Sequence, residues 1–258
     1  PAARTGDRQS CPTLPGKPVF LLKYYYDLHL HSCLSPCGSE DMTPANLAAM
    51  CALAGLEIVA LTDHNTTGNC APFCRAAAGH GLLALAGMEL CTQEDIHVVC
   101  LFPSPEAALP FEDYVSAHLP QIPNKRDLFG PQIRMGDEDQ ILGEDDRFLA
   151  GSTDIPIYEV SGLVAEFGGV AVPAHIDRPS YSLLGVLGLW DPDLRFATAE
   201  LSHNCPPDFS QRPDLAGLRL ITSSDAHYLE QVWGAEHSMD LPDRTPQAVL
   251  DWLSGKVP

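Results

Sequence analysis

Positive charge is scarce in this chain: Lys and Arg number 15 against 34 Asp and Glu, a net charge of −19. A surface this acidic repels nucleic-acid backbones and anionic lipid, which counts against a partner of long nucleic acid or membrane surfaces. Bound cations would offset some of those carboxylates locally. Long apolar runs are also missing. No stretch reaches the roughly 18 residues of a membrane-spanning helix. Residues 1–20 are polar and Pro-rich and lack the apolar segment of a signal peptide, so they read as a poorly ordered extension. Nine cysteines, an odd number, do not make a full disulfide framework. Without an export signal, a reducing cytoplasm is the expected compartment.

The remaining residues, 21–258, are enough for one large α/β domain. β-rich apolar runs alternate with helix-period segments. The expected strands are Tyr24–His29, Ile58–Thr62, Leu82–Ala86, Ile96–Phe102, Val170–His175, Ala197–Ser202 and Leu218–Ser223. Thr43, Asp154 and Thr245 stand at or near helix starts with an early proline, and Gly55 and Gly168 stand where helices should end. Too few residues separate Ala86 from Ile96 for a parallel crossover, so those two strands should form a hairpin. That would bring Glu89 and His97 to one rim. Residues 120–154 show no clear period and form a long insertion, functional or disordered.

Ten histidines are present, and their placement is more telling than their number. Asp27-Leu28-His29-Leu30-His31 ends the first strand, and a period of two puts both imidazoles on one face within reach of one metal ion. Thr62-Asp63-His64-Asn65 ends the second, Pro173-Ala174-His175 the fifth, and Ser224-Asp225-Ala226-His227 the last. In α/β barrels the C-terminal strand ends form the catalytic rim. A single histidine at a strand end is commonly structural. Four strand ends that all carry one are hard to reach by accident, because burying so many titratable groups together without metal is costly.

The motifs DLHLHS, LTDHN, GMEL, DIHVVCLF, PAHIDR and SSDAHY, in this order, resemble those of the PHP (polymerase and histidinol phosphatase) superfamily. The resemblance spans nearly all of the chain after Tyr24. It implies a distorted (β/α)7 barrel and a stand-alone metal-dependent phosphoesterase. It further implies two to three divalent ions (Zn, Mn or Fe) held by His29, His31, His64, Glu89, His97, His175, Asp225 and His227. The family usually adds an acidic ligand soon after the HxH pair; the usual Ser-Asp-Gly is missing here, so Asp41, or else Glu40, is the candidate. Asp63 is expected to orient a neighbouring imidazole. Mixed N/O ligation suits these metals, and a metal-activated hydroxide would attack phosphorus without a protein nucleophile. Arg178, three residues after His175, is the first candidate to bind substrate phosphate, with Lys125 and Arg126 of the insertion as further candidates. The expected substrate is a small phosphoester or a short oligonucleotide.

Two other readings compete. An amidohydrolase-type barrel also opens with HxH, but after His31 the only lysines are Lys125 and Lys256, neither on an expected strand. A silent binding module would have no physical reason to keep a histidine at every rim position. The pairs Cys33/Cys37 and Cys70/Cys74 lack the common two-residue knuckle spacing, and reduced thiols are the default. His203 is expected at the surface.

Overall fold

The computed structural model describes residues 21–256; the expected extension over residues 1–20 lies outside them. The chain runs β1 (Leu22–Leu30), α1 (Pro44–Leu53), β2 (Ile58–Leu61), α2 (Cys70–Gly79), β3 (Leu83–Cys91), β4 (His97–Phe102) and α3 (Pro105–His118). It continues through α4 (Arg126–Phe129), β5 (Ile133–Met135), β6 (Ile141–Glu144), α5 (Ile157–Glu166), β7 (Val170–Pro173) and α6 (Leu183–Leu187). The last elements are β8 (Thr198–Leu201), β9 (Arg219–Thr222), β10 (Ser238–Leu241) and α7 (Pro246–Leu253).

All seven expected strands form, as do three short ones that the apolar pattern did not mark. Six strands build one curled sheet in the order β10-β1-β2-β3-β4-β7. β1, β2 and β3 are parallel. β3 and β4 are the expected antiparallel hairpin, with Glu89 opposite Val99 and Cys91 opposite His97. Among the described residues β8 and β9 pair, in parallel, only with each other. The sheet departs from an even seven-stranded barrel in this break and in β10, which flanks β1 in the antiparallel sense. β7 ends early: Pro173 has no N–H to donate, and His175 turns left-handed (φ 32). Contacts at the strand ends still knit the rim together. Ile176 N donates to Glu200 O (2.8 Å), and Leu30 bridges Ala226.

Alternation along the strands sorts the side chains into two layers. Leu85, Val99, Leu101, Val172 and Ile221 face an inner cluster that also takes Val249, Leu250 and Leu253 from α7. α7 lies at the N-terminal ends of the strands, where Thr198 Oγ1 donates to Leu253 O (2.6 Å). The intervening residues, among them Val59, Leu61, Ala86, Met88, Val98 and Phe102, pack outward against α1, α2, α3 and α5 through Leu47, Phe73, Phe111 and Val160. Each such large apolar side chain contributes about 1.5–3 kcal/mol on burial.

The helix signals hold with one exception. Thr43 and Thr245 cap α1 and α7, accepting from Asn46 N and Ala248 N. Gly55 and Gly168 take φ of 79° and 80° after α1 and α5. Asp154 caps nothing: its carboxylate pairs with His118 Nδ1 (2.6 Å), and Ile157 N at the start of α5 donates to Glu94 Oε2 (2.9 Å). The insertion is built, with α4 and the β5–β6 hairpin inside it.

Candidate metal centre

The alternation that places Leu85 in the inner layer carries on to Glu89 at the C-terminal end of β3. The same period on β4, running the other way, points His97 inward from Val99 and Leu101. β1 needs a device, because Tyr26 and Leu28 face inward and the histidines sit at odd positions. The ladder with β2 supplies it: Asp27 pairs with Val59 but Leu30 with Leu61, so β1 carries one extra residue there. Such a bulge re-aims side chains. His29 and His31 accordingly share a face, both buried, with their Nε2 atoms 3.2 Å apart. His64, His175, Asp225 and His227 come from the loops after β2, β7 and β9. Asn65, His175 and Asp225 all have positive φ (51°, 32° and 53°). Non-glycine residues held there cost on the order of 1–3 kcal/mol each, and such strain clusters at functional sites.

The eight expected ligand residues converge. Glu89 is at the centre, with Oε1 2.8 Å from His97 Nδ1, 3.2 Å from His175 Nε2 and 3.3 Å from His29 Nε2. Its Oε2 lies 2.9 Å from His64 Nδ1 and 3.4 Å from His31 Nε2. Asp225 Oδ1 is 3.4 Å from His29 Nε2 and 3.3 Å from His31 Nε2. Three groups place their ligand atoms within 4.8 Å of one another: His31/His64/His227, His29/His31/Asp225 and His64/Glu89/His97.

The hydrogen bonds behind the rings fix what these atoms can do. His29 Nδ1 donates to Glu200 Oε1 (2.9 Å), which in the neutral ring leaves Nε2 a bare lone pair. Ser35 Oγ donates to Asp63 Oδ1 (2.7 Å) and so accepts from His31 Nδ1 (2.8 Å), leaving that Nε2 bare as well. Both Nε2 atoms therefore face each other and the carboxylates of Glu89 and Asp225, a space that ring protons fill in the metal-free protein and that a cation can take in their place. Asp225 Oδ1 and His64 Nδ1 are buried and meet only other groups of the rim, with no well-aligned hydrogen bond. The donor set of imidazole nitrogens and carboxylate oxygens fits a divalent transition metal.

The electrostatics point the same way. Burial opposes a charge on His29, but Glu200, Asp225 and Glu89 outweigh it and hold the ring well above its ordinary value. His31 and His64 are also raised against burial, His31 mainly by hydrogen bonds to Asp225 and Glu89, His64 mainly by the charge of Glu89. Burial would raise Glu89, yet His97, His29 and His64 hold it well below the usual carboxylate range. Asp225 is likewise lowered, by His29 and His31 against burial. His227 is different: burial and the charge of His31 push it down to about 3, so it is neutral and ready to bind a metal.

The other expected residues divide. Asp63 is buried and touches no imidazole; it accepts from Ser32 N (2.7 Å), Ser32 Oγ (2.6 Å) and Ser35 Oγ, and reaches His31 only through Ser35. It is a positioning residue for the loop after β1. Asp41 and Glu40 are exposed and belong to none of the three groups. The residue of that loop that meets the rim is Cys37, whose Sγ is 3.2 Å from His64 Nε2. The loop turns tightly at Gly38, where Ser39 N donates to His227 O, and this holds Cys37 inward while Asp41 passes outside. Arg178 is brought to the site: its guanidinium is 2.8 Å from Asp225 Oδ2. Lys125 and Arg126 are not. Lys125 is exposed, and Arg126 pairs with Glu144 of the same insertion (2.6 Å). His203 is exposed at the surface, its ring tilted against Trp233 with centroids 4.0 Å apart. Glu200 went unmarked in the sequence; its only signal was a carboxylate inside the apolar run of β8.

Residues 27–145 match the family model of the PHP domain. Over that stretch, just under half of the chain, the sequence is similar to the PHP domain. The match ends ahead of β7, so His175, Glu200, Asp225 and His227 lie beyond the matched stretch and still complete its rim. In fold the chain is similar to the lesion-specific endonuclease PfuEndoQ from Pyrococcus furiosus (TM-score 0.64, 17% identity), over 91% of this chain and 56% of that one. It thus spans little more than half of that protein's length. It is also similar to a candidate metal-dependent phosphoesterase from Bifidobacterium adolescentis (TM-score 0.58, 21% identity), over 88% of this chain and 95% of that one. An amidohydrolase from Chromobacterium violaceum, solved with bound sulfate, gives a TM-score of 0.57 at 22% identity, over 88% and 96% of the two chains. At these identities the likeness is one of fold. No curated protein matches the chain in sequence. Among the described residues no helix is long and apolar enough to cross a membrane.

Proposed function

We propose that the chain is a phosphoesterase that holds two to three divalent ions, Zn, Mn or Fe, at this rim and hydrolyses a small phosphoester. The observation that carries the reading is the convergence of Nε2 of His29 and of His31, 3.2 Å apart, on Glu89 and Asp225. The proposed ligands are His29, His31, His64, Glu89, His97, His175, Asp225 and His227, with Cys37 standing where an acid was expected. Bound there, the ions would acidify a water and neutralise charge on the phosphoryl oxygens. Glu200 and Ser35 hold the two β1 imidazoles in the tautomers that bind. Arg178, already against Asp225, can turn its remaining N–H groups to two phosphoryl oxygens at once.

The fold does not decide the substrate. One neighbour with it, Endonuclease Q, has been solved with a 27-mer duplex bearing an abasic lesion, so the case against long nucleic acid rests on the net charge of −19. The test is a panel of phosphomonoesters and phosphodiesters offered to the protein loaded with Zn, Mn or Fe. Turnover that disappears on chelation and in Asp225→Ala supports the proposal. A metal-loaded protein that turns over neither class, or metal content at zero after loading, refutes it.

A further inference from the structure

A cleft of about 360 Å³ opens beside His64 and His97, near the lower end of the range for small-molecule sites. Its other lining residues are Tyr181, Asp95 and, from the insertion, Phe148, Ala150, Gly151 and Ser152. We propose that this cleft receives the leaving group of the substrate and that it selects a planar ring without negative charge. The inference rests on the phosphoesterase reading, because the cleft acquires this role only if phosphorus sits on the rim.

Two aromatic side chains give the cleft its character. Tyr181 keeps half of its surface exposed (51%), although its ring centroid is 4.9 Å from that of His97. Its backbone has φ of 53°, and its carbonyl accepts from His97 N (3.1 Å), so an uncommon conformation is held where it presents the ring beside the rim. Phe148 enters from the insertion, backed by Phe129 at 4.4 Å between centroids. Aromatic faces bind planar rings through offset stacking and apolar contact, and stacking contributes the same way for any ring with a π-face.

The floor between them is clamped from the rim itself. Asn65, next to His64, is buried and donates from Nδ2 to Leu149 O (2.7 Å) and Gly151 O (2.8 Å), while its Oδ1 accepts from Cys91 N (2.9 Å). One side chain thus ties the insertion to β3 at the height of Glu89. A pocket fixed in this way loses little entropy on binding. Asp95, which accepts from Ser152 Oγ, puts a carboxylate in the cleft. It repels a second phosphate there and accepts N–H groups from a ring that carries them.

The test measures binding of benzylphosphonate and ethylphosphonate, which are not hydrolysed, to the metal-loaded protein by calorimetry. Turnover of the corresponding phosphates is followed in parallel. Benzylphosphonate should bind roughly tenfold tighter, the order expected from one stacked ring. Tyr181→Ala and Phe148→Ala should each remove most of that advantage, and Tyr181→Phe should retain it. Equal binding of the two phosphonates, or an advantage untouched by either alanine, overturns the cleft assignment even if both phosphates are hydrolysed. Ring-selective binding without hydrolysis of either phosphate keeps the cleft as a ring site and counts against the phosphoesterase reading. If neither phosphonate binds, the cleft assignment falls.

Discussion

Glu200 Oε1 lies 2.9 Å from Nδ1 of His29 and also accepts from His175 N (3.3 Å), so one carboxylate on β8 fixes two rim histidines from different strands. A partner behind a ligand imidazole sets its tautomer and raises its basicity, and losing one typically costs 10–100-fold in metal affinity or activity. Glu200→Gln keeps the shape but can present an amide N–H to Nδ1, which would put the ring proton on Nε2. Metal affinity measured by competition with a chelating dye should fall by roughly that factor. Unchanged affinity would show that His29 is held by its neighbours alone.

Asp63 makes a parallel case one shell further out. Three hydrogen bonds to Ser32 and Ser35 end on its carboxylate. Asp63→Asn turns an acceptor into a donor beside two hydroxyls and a backbone N–H, which costs about 1–3 kcal/mol of stability. The melting temperature should drop, and metal affinity should fall by roughly 10–100-fold through the loosened Ser35–His31 contact. A drop in melting temperature with full metal affinity would confine Asp63 to the loop.

The metal-free protein should also have a characteristic pH profile. His29, His31 and His64 are raised, so their contribution to stability is present below the ordinary histidine value, about 6.5, and is lost as pH rises through their folded values. Glu89 and Asp225 are lowered, so theirs is present above about 4 and is lost as pH falls. Metal-free stability should therefore peak between those values and decline on the alkaline side. Metal replaces the protons, so loading should remove the alkaline decline and release protons, seen as a binding enthalpy that depends on the buffer. Zinc binding with no proton release near pH 7 would contradict the raised imidazoles.

Much of this site could be read from the chain because it follows a period. His29 and His31, Glu89 opposite the start of β4, and the Asp225/His227 pair all sit where strands end, and a strand's alternation decides which way its side chains point. The bulge in β1 left the conclusion about His29 and His31 intact, since it moved both together. What could not be read depends on contacts between distant segments. Glu200 is 171 residues from His29, and no local pattern marks the pairing. Cys37, and not Asp41, lies against His64 because the turn at Gly38, where Ser39 N meets the carbonyl of His227, sets which residue of the loop approaches the rim. The β5–β6 hairpin and β10 escaped notice because exposed or edge strands of three or four residues carry little apolar alternation. The cap assigned to Asp154 failed because Glu94, from the β3–β4 turn, reached the helix N–H first.

Thiol chemistry should single out Cys37. Among the described cysteines it is the exposed one, and it meets His64. Burial pushes the thiols of Cys33, Cys74 and Cys91 up to about 12, so little thiolate forms there at neutral pH. In the native metal-free protein, iodoacetamide should modify Cys37 well ahead of these three, as mapped by peptide mass spectrometry. Loading with zinc should slow that reaction if the sulfur is drawn onto the metal. Equal labelling with and without zinc would leave Cys37 beside the centre and outside its ligand set.

The last prediction concerns Arg178. Its guanidinium sits 2.8 Å from Asp225 Oδ2 while Oδ1 of the same carboxylate faces His29 and His31, so it stands at the edge of the proposed metal centre with part of its side chain exposed. The guanidinium is half-exposed but its carboxylate partner is buried, so removing it takes one of several cationic neighbours from Asp225 and should lower the melting temperature of the metal-free protein. If the residue binds phosphoryl oxygens, Arg178→Ala should lower kcat/KM by about 2–4 kcal/mol in transition-state terms, comparable to losing one strong oxyanion contact. Arg178→Lys keeps the charge and loses the planar fork, so its deficit should be smaller and fall mainly on KM. Metal content separates this from the alternative, in which Arg178 serves only to hold Asp225 in place. A phosphate-binding role predicts full metal content in both variants, whereas a role confined to Asp225 predicts metal loss in step with activity.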